Sequence, residues 1–414
     1  MEHKLKLLIL SFYYPPDLSA CSFRTHALIK ALEDYRQQGL EVDILTTQPN
    51  RYSEIATSVK ESEDYGWLRI RRVNLPAHRS GMRDQAKAFL NYAKAVRNLT
   101  NDGNWDMVYA TSSRLMTAAL GAYVARRLRV PLYLDIRDIF TDTMHDVLTD
   151  RTLRQILPIF RWLERRTFKT ATRINVVSAG FLNHIYQIVP HLRCSVFTNG
   201  IDSDFLTTDF RKEPTGYDLP VILYAGNIGE GQGLHRIIPD AAVALTGTAR
   251  FHIIGGGGRL SQLKSALVST TITNVDLYPP VPRSELLNEY RTADILFLHL
   301  NDHAAFLKVL PSKIFEYAAT GKPIVAGVSG YAADFLRNEV PGAQIFDPCD
   351  VQGMVRAIIQ VLNTTELIDR SAFCATFDRA AIMDSMAVDI LSTLRSNSHS
   401  LCLEPSEKTR ASNE

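Results

Sequence analysis

Long apolar runs are missing from this sequence of 414 residues, which has no stretch of eighteen or more apolar residues. A helix needs about 20 predominantly apolar residues to cross a bilayer, so we predict no membrane span. The N-terminus, MEHKLKLLILSFYYPPD, has a short apolar run that leads to Pro15 and Pro16, not to a small-residue cleavage site. This pattern is typical of a first β-strand and argues against a signal peptide.

Cysteine is scarce, and its spacing shows no metal-binding or disulfide pattern. The five cysteines are scattered, without a C-x-x-C pair: Cys21, Cys194, Cys349, Cys374 and Cys402. An odd, scattered set argues against a disulfide framework and a zinc site, and we expect a reducing cytoplasm. The loop after the first predicted strand also lacks G-x-G-x-x-G, so the dinucleotide fingerprint is absent there.

The composition, 46% hydrophobic and 22% charged, is that of a globular protein. A chain of 414 residues is too long for one ordinary core, which predicts two domains. The formal net charge of +2 conceals an asymmetry, because residues 1–200 carry +9 and the remainder −7. We therefore expect different partners for the two halves.

Alternating strand and helix patterns predict a doubly wound α/β fold in both halves. In the first half the patterns place strands at 6–12, 42–46, 68–73, 105–110 and 130–136, and helices at 23–35, 85–99 and 115–128. The same rhythm restarts at 220–224 and ends with a helix at 379–394. Residues 396–414 are polar, and we predict that they are disordered.

The stretch Leu307–Gly330, LKVLPSKIFEYAATGKPIVAGVSG, combines a short helix with a buried strand. Pro311 and Ser312 predict the start of the helix, with Ser312 as its cap, and Gly321 predicts its end. In an open parallel sheet, ligands bind in crevices between such strand and helix ends.

Two charged residues of this helix need an explanation. Lys313 lies in the first turn, where the helix dipole disfavours a cation. Glu316 follows one turn later among apolar residues, and a charge in such surroundings needs a partner or a ligand. The alternative is that Glu316 lies on a solvated face.

PSKIFEYAATGKPIVAG resembles the C-terminal signature of the retaining GT-B glycosyltransferases of family 4, group 1, in the branch that builds bacterial surface polysaccharides of the O-antigen and capsule type. FTNGID, at 197–202, is similar to the inter-domain signature of that family. The resemblance implies two Rossmann-like domains that face each other across a cleft. Residues 1–199 would form the acceptor-side domain and 200–378 the donor domain, with a helix at about 379–395 returning to the first domain.

The activity that this resemblance implies is sugar transfer with retention of configuration. The expected donor is a nucleoside diphosphate sugar, with UDP as the nucleotide and a hexosyl or N-acetylhexosaminyl group as the sugar. The expected acceptor is a saccharide, linked to polyprenyl diphosphate or free. In such enzymes the leaving diphosphate can take the proton of the acceptor, and neither a metal nor another cofactor is expected.

The resemblance also implies donor-binding residues. Glu316 matches a family glutamate that holds the ribose, whereas Lys308 stands where the family usually has another glutamate. The arginine and lysine with which relatives hold the diphosphate fall on Asn227 and Gln232, so Lys313 is the best replacement and is also assigned a catalytic role. The other expected donor contacts are Gly226, Asn227, Gly256, Val281, Lys308, Pro311 and Ser312.

The first domain contributes the remaining predicted site residues. Arg137 and Asp138 directly follow a strand, and we predict a catalytic role for them, with a structural ion pair between them as the alternative. In the first loop, the small residues Ser19 and Ala20 and the helix-opening Arg24 are expected near the donor phosphate and the acceptor. A solvated charge is the other interpretation of Arg24.

Two groups of potential metal ligands receive a different interpretation. Asp202 and Asp204 form a D-x-D pattern, but its place in a linker argues against a metal site. His299, Asp302 and His303 are interpreted as loop residues that line a sugar site or are simply polar.

The segment Arg151–Arg173 is strongly basic, with eight Lys or Arg, Arg193 included, against Glu164 alone. We predict a helix with one apolar side, a kink at Pro158 and Trp162 near the apolar side. Core packing with solvated charges is the ordinary interpretation, and association with an anionic membrane surface is the other. No nucleic-acid partner is expected.

Two further functions stay open from the sequence. A nucleotide-sugar epimerase could use the same fold, although the basic first half argues against it. A non-catalytic sugar-nucleotide binding protein is favoured only by the absence of a glutamate at Lys308.

Overall fold

The computed structural model describes residues 4–17, 19–49, 59–75, 82–112, 115–147, 155–211, 218–270, 272–364 and 366–401. Residues 151–154, with which the predicted basic helix starts, and Cys402 lie outside these residues. None of the described helices is both long enough and apolar enough to span a bilayer.

The first domain contains an eight-stranded sheet in the order β3-β4-β2-β1-β5-β6-β7-β8, parallel except for β3. Its strands are β1 (Leu5–Leu10), β2 (Leu40–Thr47), β3 (Ser62–Asp64), β4 (Leu68–Val73), β5 (Met107–Thr111), β6 (Leu132–Ile136), β7 (Arg173–Val176) and β8 (Cys194–Val196). The antiparallel β3 was not predicted, because Ser62, Glu63 and Asp64 are all polar.

Helices connect these strands and cover both faces of the sheet. They are α1 (Ala20–Glu33), α2 (Met82–Leu99), α3 (Leu115–Leu128), α4 (Phe140–Val147), α5 (Leu157–Phe168) and α6 (Leu182–Ile188). The kink predicted at Pro158 is wrong, because Pro158 occupies the first turn of α5. Proline fits there, since the N–H that it lacks would have no partner inside the helix.

The second domain has a six-stranded, fully parallel sheet in the order β11-β10-β9-β12-β13-β14. Its elements are α7 (Ser203–Thr207), β9 (Val221–Ala225), α8 (Leu234–Ala244), β10 (Arg250–Ile254), α9 (Leu260–Ser269), β11 (Val275–Tyr278), α10 (Arg283–Thr292), β12 (Ile295–His299), α11 (Lys313–Ala319), β13 (Ile324–Gly327), α12 (Tyr331–Glu339), β14 (Ala343–Phe346), α13 (Val351–Val361) and α14 (Ser371–Thr376). The predicted architecture of two doubly wound α/β domains is confirmed.

The last helix, α15 (Arg379–Leu401), packs on the first domain. Its buried residues join the core formed by β1, β2 and α1: Met383, Met386, Ala387, Ile390, Leu391 and Leu394. Asp389 of α15 fixes this contact by accepting hydrogen bonds from Arg173, Tyr133 and Ser195. The predicted disorder from residue 396 is wrong for 396–401, which continue the helix, and 402–414 lie outside the described residues.

Each sheet reverses its winding direction at one point, and these points position the candidate site. β1 lies between β2 and β5, and β9 lies between β10 and β12. The loop after β7 meets the segment after β12, since Ser178 donates a hydrogen bond to the carbonyl of Lys308 at 2.6 Å. The carboxyl ends of both sheets therefore open toward one cleft, where ligands bind in folds of this type.

Candidate active site

Glycine turns after β9 and β10 form the floor of the site in the second domain. Gly226, Gly255 and Gly257 have φ angles of +149°, +150° and +154°. The Gly226 N–H donates to the carbonyl of Ile254 at 2.8 Å, and a Cβ on Gly255 would lie 1.8 Å from the Gly226 oxygen. Only glycine permits this backbone-to-backbone contact, which leaves the two turns open to a ligand.

Lys313, the first residue of α11, projects onto the Gly226 turn. A Cβ on Gly226 would lie 2.0 Å from the Lys313 Nζ, so the missing side chain makes room for the ammonium group. Nζ also lies 5.5 Å from the centre of the Tyr224 ring, within the range of a cation–π interaction. The Tyr224 hydroxyl donates to the Asn227 carbonyl at 2.6 Å and fixes the turn. The predicted residues Gly226 and Lys313 are thus adjacent.

Glu316 lies one helical turn after Lys313 and is partly exposed. The hydroxyl of the buried Tyr290 donates to Glu316 Oε2 at 3.4 Å. Burial, with Glu316 beside it, raises the pKa of Tyr290 well above its usual value, so the hydroxyl remains a donor. Glu316 keeps acceptor capacity for a further ligand, because a carboxylate has about four acceptor positions.

The residues that start α11 make its first turn through their backbone. The carbonyls of Pro311 and Ser312 accept from the N–H groups of Ile314 and Phe315 at 3.1 and 3.2 Å. The predicted cap by Ser312 is wrong, since its hydroxyl makes no capping bond and its φ and ψ of −61° and −25° are helical. Both side chains are partly exposed beside Lys313.

Asn227 and Gln232, two uncharged residues of the loop after β9, form a hydrogen bond with each other. Asn227 Nδ2 donates to Gln232 Oε1 at 2.7 Å, and the Gly229 N–H donates to the same oxygen at 3.3 Å. The pair shapes the turn next to Lys313.

The loop at 278–282 borders the second glycine turn. Pro280 lies 3.7 Å from the position that a Cβ on Gly256 would take, and the Gly256 carbonyl accepts from the Ile228 N–H at 2.9 Å. Val281 is partly buried against the core of the second domain. Gly256 and Val281 thus lie on neighbouring loops at the carboxyl end of the second sheet.

Lys308 reaches across the cleft toward the first domain. Its Nζ lies 2.6 Å from Asp142 Oδ2 in α4, and a Cβ on Gly180 would lie 2.5 Å from its carbonyl oxygen. The structure therefore separates the two lysines of the predicted donor site: Lys313 lies on the glycine turn, and Lys308 contacts α4.

Arg137 and Asp138 both lie at the cleft but point to different partners. Arg137 Nη2 donates to Asn199 Oδ1 at 3.1 Å, and its buried Nη1 has no hydrogen-bond partner among the described residues. Asp138 accepts from the Thr143 hydroxyl at 3.2 Å. The alternative of a structural ion pair between them is therefore wrong.

Asp138 belongs to an acidic group with Asp142 and Glu164. Burial raises the pKa of Asp138 to about 6, with Thr143 opposing the shift and the two nearby carboxylates adding to it. Glu164 accepts from Thr141 at 2.8 Å and lies 2.9 Å from His184 Nε2. A carboxyl group that titrates near neutrality, close to the cleft, is suited to proton transfer.

Arg24 does not line the cleft, and its assignment as a phosphate contact is wrong. The residue is 1% exposed, and its guanidinium pairs with Asp135 of β6 at 3.0 Å and donates to the Phe197 carbonyl at 2.9 Å. Burial alone would raise the pKa of Asp135, but Arg24, together with Arg137 and Asn175, outweighs that effect and holds the pKa below its usual value. The solvated alternative for Arg24 is wrong for the same reason.

The two small residues of the first loop start α1. Ser19 is buried, and its hydroxyl accepts from the Ser22 N–H at 3.1 Å as the N-cap. Ala20 is the first residue of the helix and is partly exposed.

The D-x-D aspartates form ion pairs with arginines of the protein. Asp202 lies 2.5 Å from both Arg283 and Arg379, and Asp204 lies 2.9 Å from Arg283. Among the described residues, no group of three or more His, Cys, Asp or Glu side chains could hold a metal ion.

His299 is structural, and the sequence did not indicate this. Its ring lies between the Gln232 carbonyl, 2.7 Å from Nδ1, and the Cys349 N–H, 2.9 Å from Nε2. Burial lowers its pKa to about 4, so it is neutral at physiological pH. The interpretation of His299 as a residue lining a sugar site is therefore wrong.

Sequence reasoning missed residues whose partners are distant in the chain. Tyr290 supports Glu316, and His184 lies between Glu164 and Asp142, at 2.9 and 3.8 Å. Arg259, beside the second glycine turn, pairs with Glu230 at 2.6 Å. Its place directly after the glycine run was the one available signal for this cation.

Comparisons with known proteins match a different family to each of the two domains. The family of glycosyl transferases group 1 matches residues 207–372, and a glycosyl transferase 4-like domain matches residues 22–200. A glycosyl transferase of Escherichia coli K12 assigned to colanic acid biosynthesis, WcaI, is 30% identical over 151 residues, which are 35% of this chain and 37% of that protein. The D-inositol 3-phosphate glycosyltransferase of Xylanimonas cellulosilytica is 27% identical over 42% of this chain and 44% of its own. The chain thus matches less than half the length of these relatives.

Solved structures show the same fold over nearly the whole chain. The crystal structure of Anabaena HepE in complex with UDP-glucose superposes with a TM-score of 0.65 over 94% of this chain and 100% of HepE, at 16% identity. Each of the two domains is thus similar to a glycosyl transferase family, and the two domains together have the fold of HepE.

Proposed function

We propose that the protein transfers a hexosyl or N-acetylhexosaminyl group from a UDP-linked donor to a saccharide acceptor in bacterial surface-polysaccharide synthesis. The observation that carries this proposal is the Lys313 ammonium group on the Gly226 turn, one helical turn from Glu316. The lysine offers a cation to a diphosphate, and Glu316 offers acceptors to ribose hydroxyls. Charge-assisted hydrogen bonds of this kind contribute about 1.5 to 3 kcal/mol each.

The comparisons support the choice of donor and pathway. HepE was solved with UDP-glucose, and WcaI is assigned to colanic acid biosynthesis. A polyprenyl-diphosphate-linked saccharide is the proposed acceptor. It would be presented at the inner face of the plasma membrane to a cytoplasmic enzyme.

In the proposed reaction the configuration at the anomeric carbon is retained. The acceptor oxygen bonds to the anomeric carbon while the bond from that carbon to the diphosphate breaks, and the acceptor proton passes to the diphosphate. Lys313 and backbone N–H groups stabilise the charge that develops on the leaving group, and no resident metal takes part. Closing of the cleft excludes water from the reacting atoms.

Asp138 and Arg137 are proposed to act on the first-domain side of the cleft. The buried Arg137 Nη1, with no partner among the described residues, can donate to a sugar or phosphate oxygen. Asp138, whose pKa burial raises to about 6, is proposed to hydrogen-bond to the acceptor hydroxyl while the proton of that hydroxyl passes to the diphosphate.

The experiment is incubation with UDP-, GDP- and ADP-sugars and short saccharide acceptors, followed by mass spectrometry and NMR. The proposal expects a glycoside with the anomeric configuration of the donor. An epimerised donor without transfer would indicate an epimerase, and tight binding without turnover would indicate a sensor. Either result would overturn the proposed reaction.

A further inference from the structure

The outer surfaces of α3 and α5 meet in a basic and aromatic area of the first domain. We call it the α3–α5 patch and define it by Tyr123, Arg126, Trp162, Arg165, Arg166 and Lys169. Two adjoining grooves, of about 410 and 470 Å³, open along these residues.

Large apolar side chains of this surface stand in water. Trp162 is 58% exposed and Tyr123 45%, and Ile159, one turn before Trp162 on α5, is 63% exposed. These exposed side chains do not attach α5 to the core, because Leu157 and Phe168 are the apolar residues of this helix that are buried. Helix α5 therefore carries exposed apolar residues in addition to the apolar residues that it buries.

The charge of the patch has one sign. Each residue that lines the two grooves, as far as the structure describes them, is basic or uncharged. The Arg166 guanidinium lies 5.5 Å from the centre of the Trp162 ring, which holds the indole beside a cation. Basic side chains alternating with exposed aromatic ones suit an interface between water and lipid, where the aromatic body enters the acyl boundary and the cation meets phosphate.

We infer that the α3–α5 patch docks on a bilayer that contains anionic lipid. The arginines and Lys169 contact headgroup phosphates, and Trp162 and Ile159 enter the interface. The inference deepens the proposed function, since it explains how a lipid-linked acceptor would reach the enzyme.

The position of α5 connects the patch to the cleft. On its buried side, Glu164 accepts from Thr141 of α4 and contacts His184. Helix α4 also carries Asp142, which pairs with Lys308 across the cleft. A bilayer seated on the patch is therefore one helix away from the acceptor side of the cleft.

The test is co-sedimentation of the full chain with phosphatidylcholine vesicles that contain increasing fractions of phosphatidylglycerol. We expect binding to rise with the anionic fraction and to fall with added salt. Each lost basic residue weakens binding about fivefold, so Arg165→Gln with Arg166→Gln should lower affinity about 25-fold. Trp162→Ser should weaken binding while leaving its salt dependence unchanged.

The matched control is Lys264→Gln with Arg356→Gln, two exposed basic residues of the second domain. This variant should bind vesicles like the wild type, and all variants should keep the wild-type thermal midpoint and UDP affinity. UDP titration separates the two proposals, because loss of UDP binding with intact vesicle binding contradicts only the proposed function.

Three results would overturn the inference. One is vesicle binding that does not depend on the anionic fraction. Another is an equal loss of vesicle binding in the patch variants and the control variant. The third is no vesicle binding combined with a thermal shift in inorganic phosphate or binding to single-stranded RNA, which would assign the patch to a free anion or a nucleic acid.

Discussion

Lys308 of the second domain and Asp142 of the first form an ion pair across the cleft, with Nζ 2.6 Å from Oδ2. The Ser178 hydroxyl reinforces the contact by donating to the Lys308 carbonyl. In the family that this chain resembles, a glutamate usually stands at the position of Lys308. Here the lysine binds α4 of the first domain through Asp142.

We expect Lys308→Ala and Asp142→Ala to couple in a double-mutant cycle by about 0.2 to 1 kcal/mol. The value is small because the two side chains are 36% and 29% exposed, which leaves the pair partly screened by water. Urea unfolding at low and high salt measures it, and the coupling should shrink in high salt. Additive effects at both salt concentrations would show that the pair does not join the domains in solution.

Arg24→Met should destabilise the protein by about 3 to 5 kcal/mol, because it leaves the Asp135 carboxylate buried without its cation. Both side chains are 1% exposed. Denaturant unfolding measures the loss, and Arg36→Met, at an exposed pair with Glu33, is the matched control with an effect below about 1 kcal/mol. A stable Arg24 variant with weakened UDP binding would instead indicate that Arg24 contacts the donor phosphate.

Asp138→Asn should alter the pH dependence of stability. The pKa of Asp138 is raised in the folded protein from 3.8 to about 6, so the folded state holds this proton more tightly than the unfolded chain does. The stability that this proton confers is complete below about pH 4 and is lost as the pH rises through about 6. Relative to wild type, the Asn variant should gain up to about 3 kcal/mol between pH 4 and 8 in denaturant unfolding. A difference that is constant with pH would refute the burial of this carboxyl group.

Glu316→Ala should weaken UDP binding by at least about tenfold while the protein remains folded, because the ribose loses a charged acceptor. Calorimetric titration gives the affinity, and Glu316→Gln, which keeps one acceptor oxygen, should lose less. Glu285→Ala, at an exposed glutamate of α10, is the control. Wild-type affinity in the Glu316 variant would remove this residue from the donor site.

The layered fold could be predicted from the sequence because buried parallel strands give continuous apolar runs. Residues 7–10 and 221–225 are such runs, and both form central strands. Strand β3 was missed, since three polar residues at the sheet edge give no hydrophobic signal.

The partners of charged residues could not be predicted, because they are distant in the chain. Arg24 and Asp135 are 111 residues apart, and Lys308 and Asp142 are 166 apart. Arg137 and Asp138 illustrate the opposite case, since adjacency suggested an ion pair that the structure does not form. By contrast, the family resemblance placed both Lys313 and Gly226 at the donor site, and in the structure the two residues are adjacent.

The proposed function assigns neutralisation of the leaving diphosphate to Lys313, and this assignment can be tested directly. Calorimetric titrations of wild type and Lys313→Ala with UDP and with UMP separate the β-phosphate contact from contacts to the base and ribose. We expect UDP affinity to fall at least about tenfold, which equals about 1.4 kcal/mol, and UMP affinity to change much less. Asn227→Ala and Gln232→Ala should have small effects on both nucleotides. An equal loss of affinity for UDP and UMP in Lys313→Ala, or no loss of affinity for either, would contradict the assignment of the diphosphate contact to Lys313.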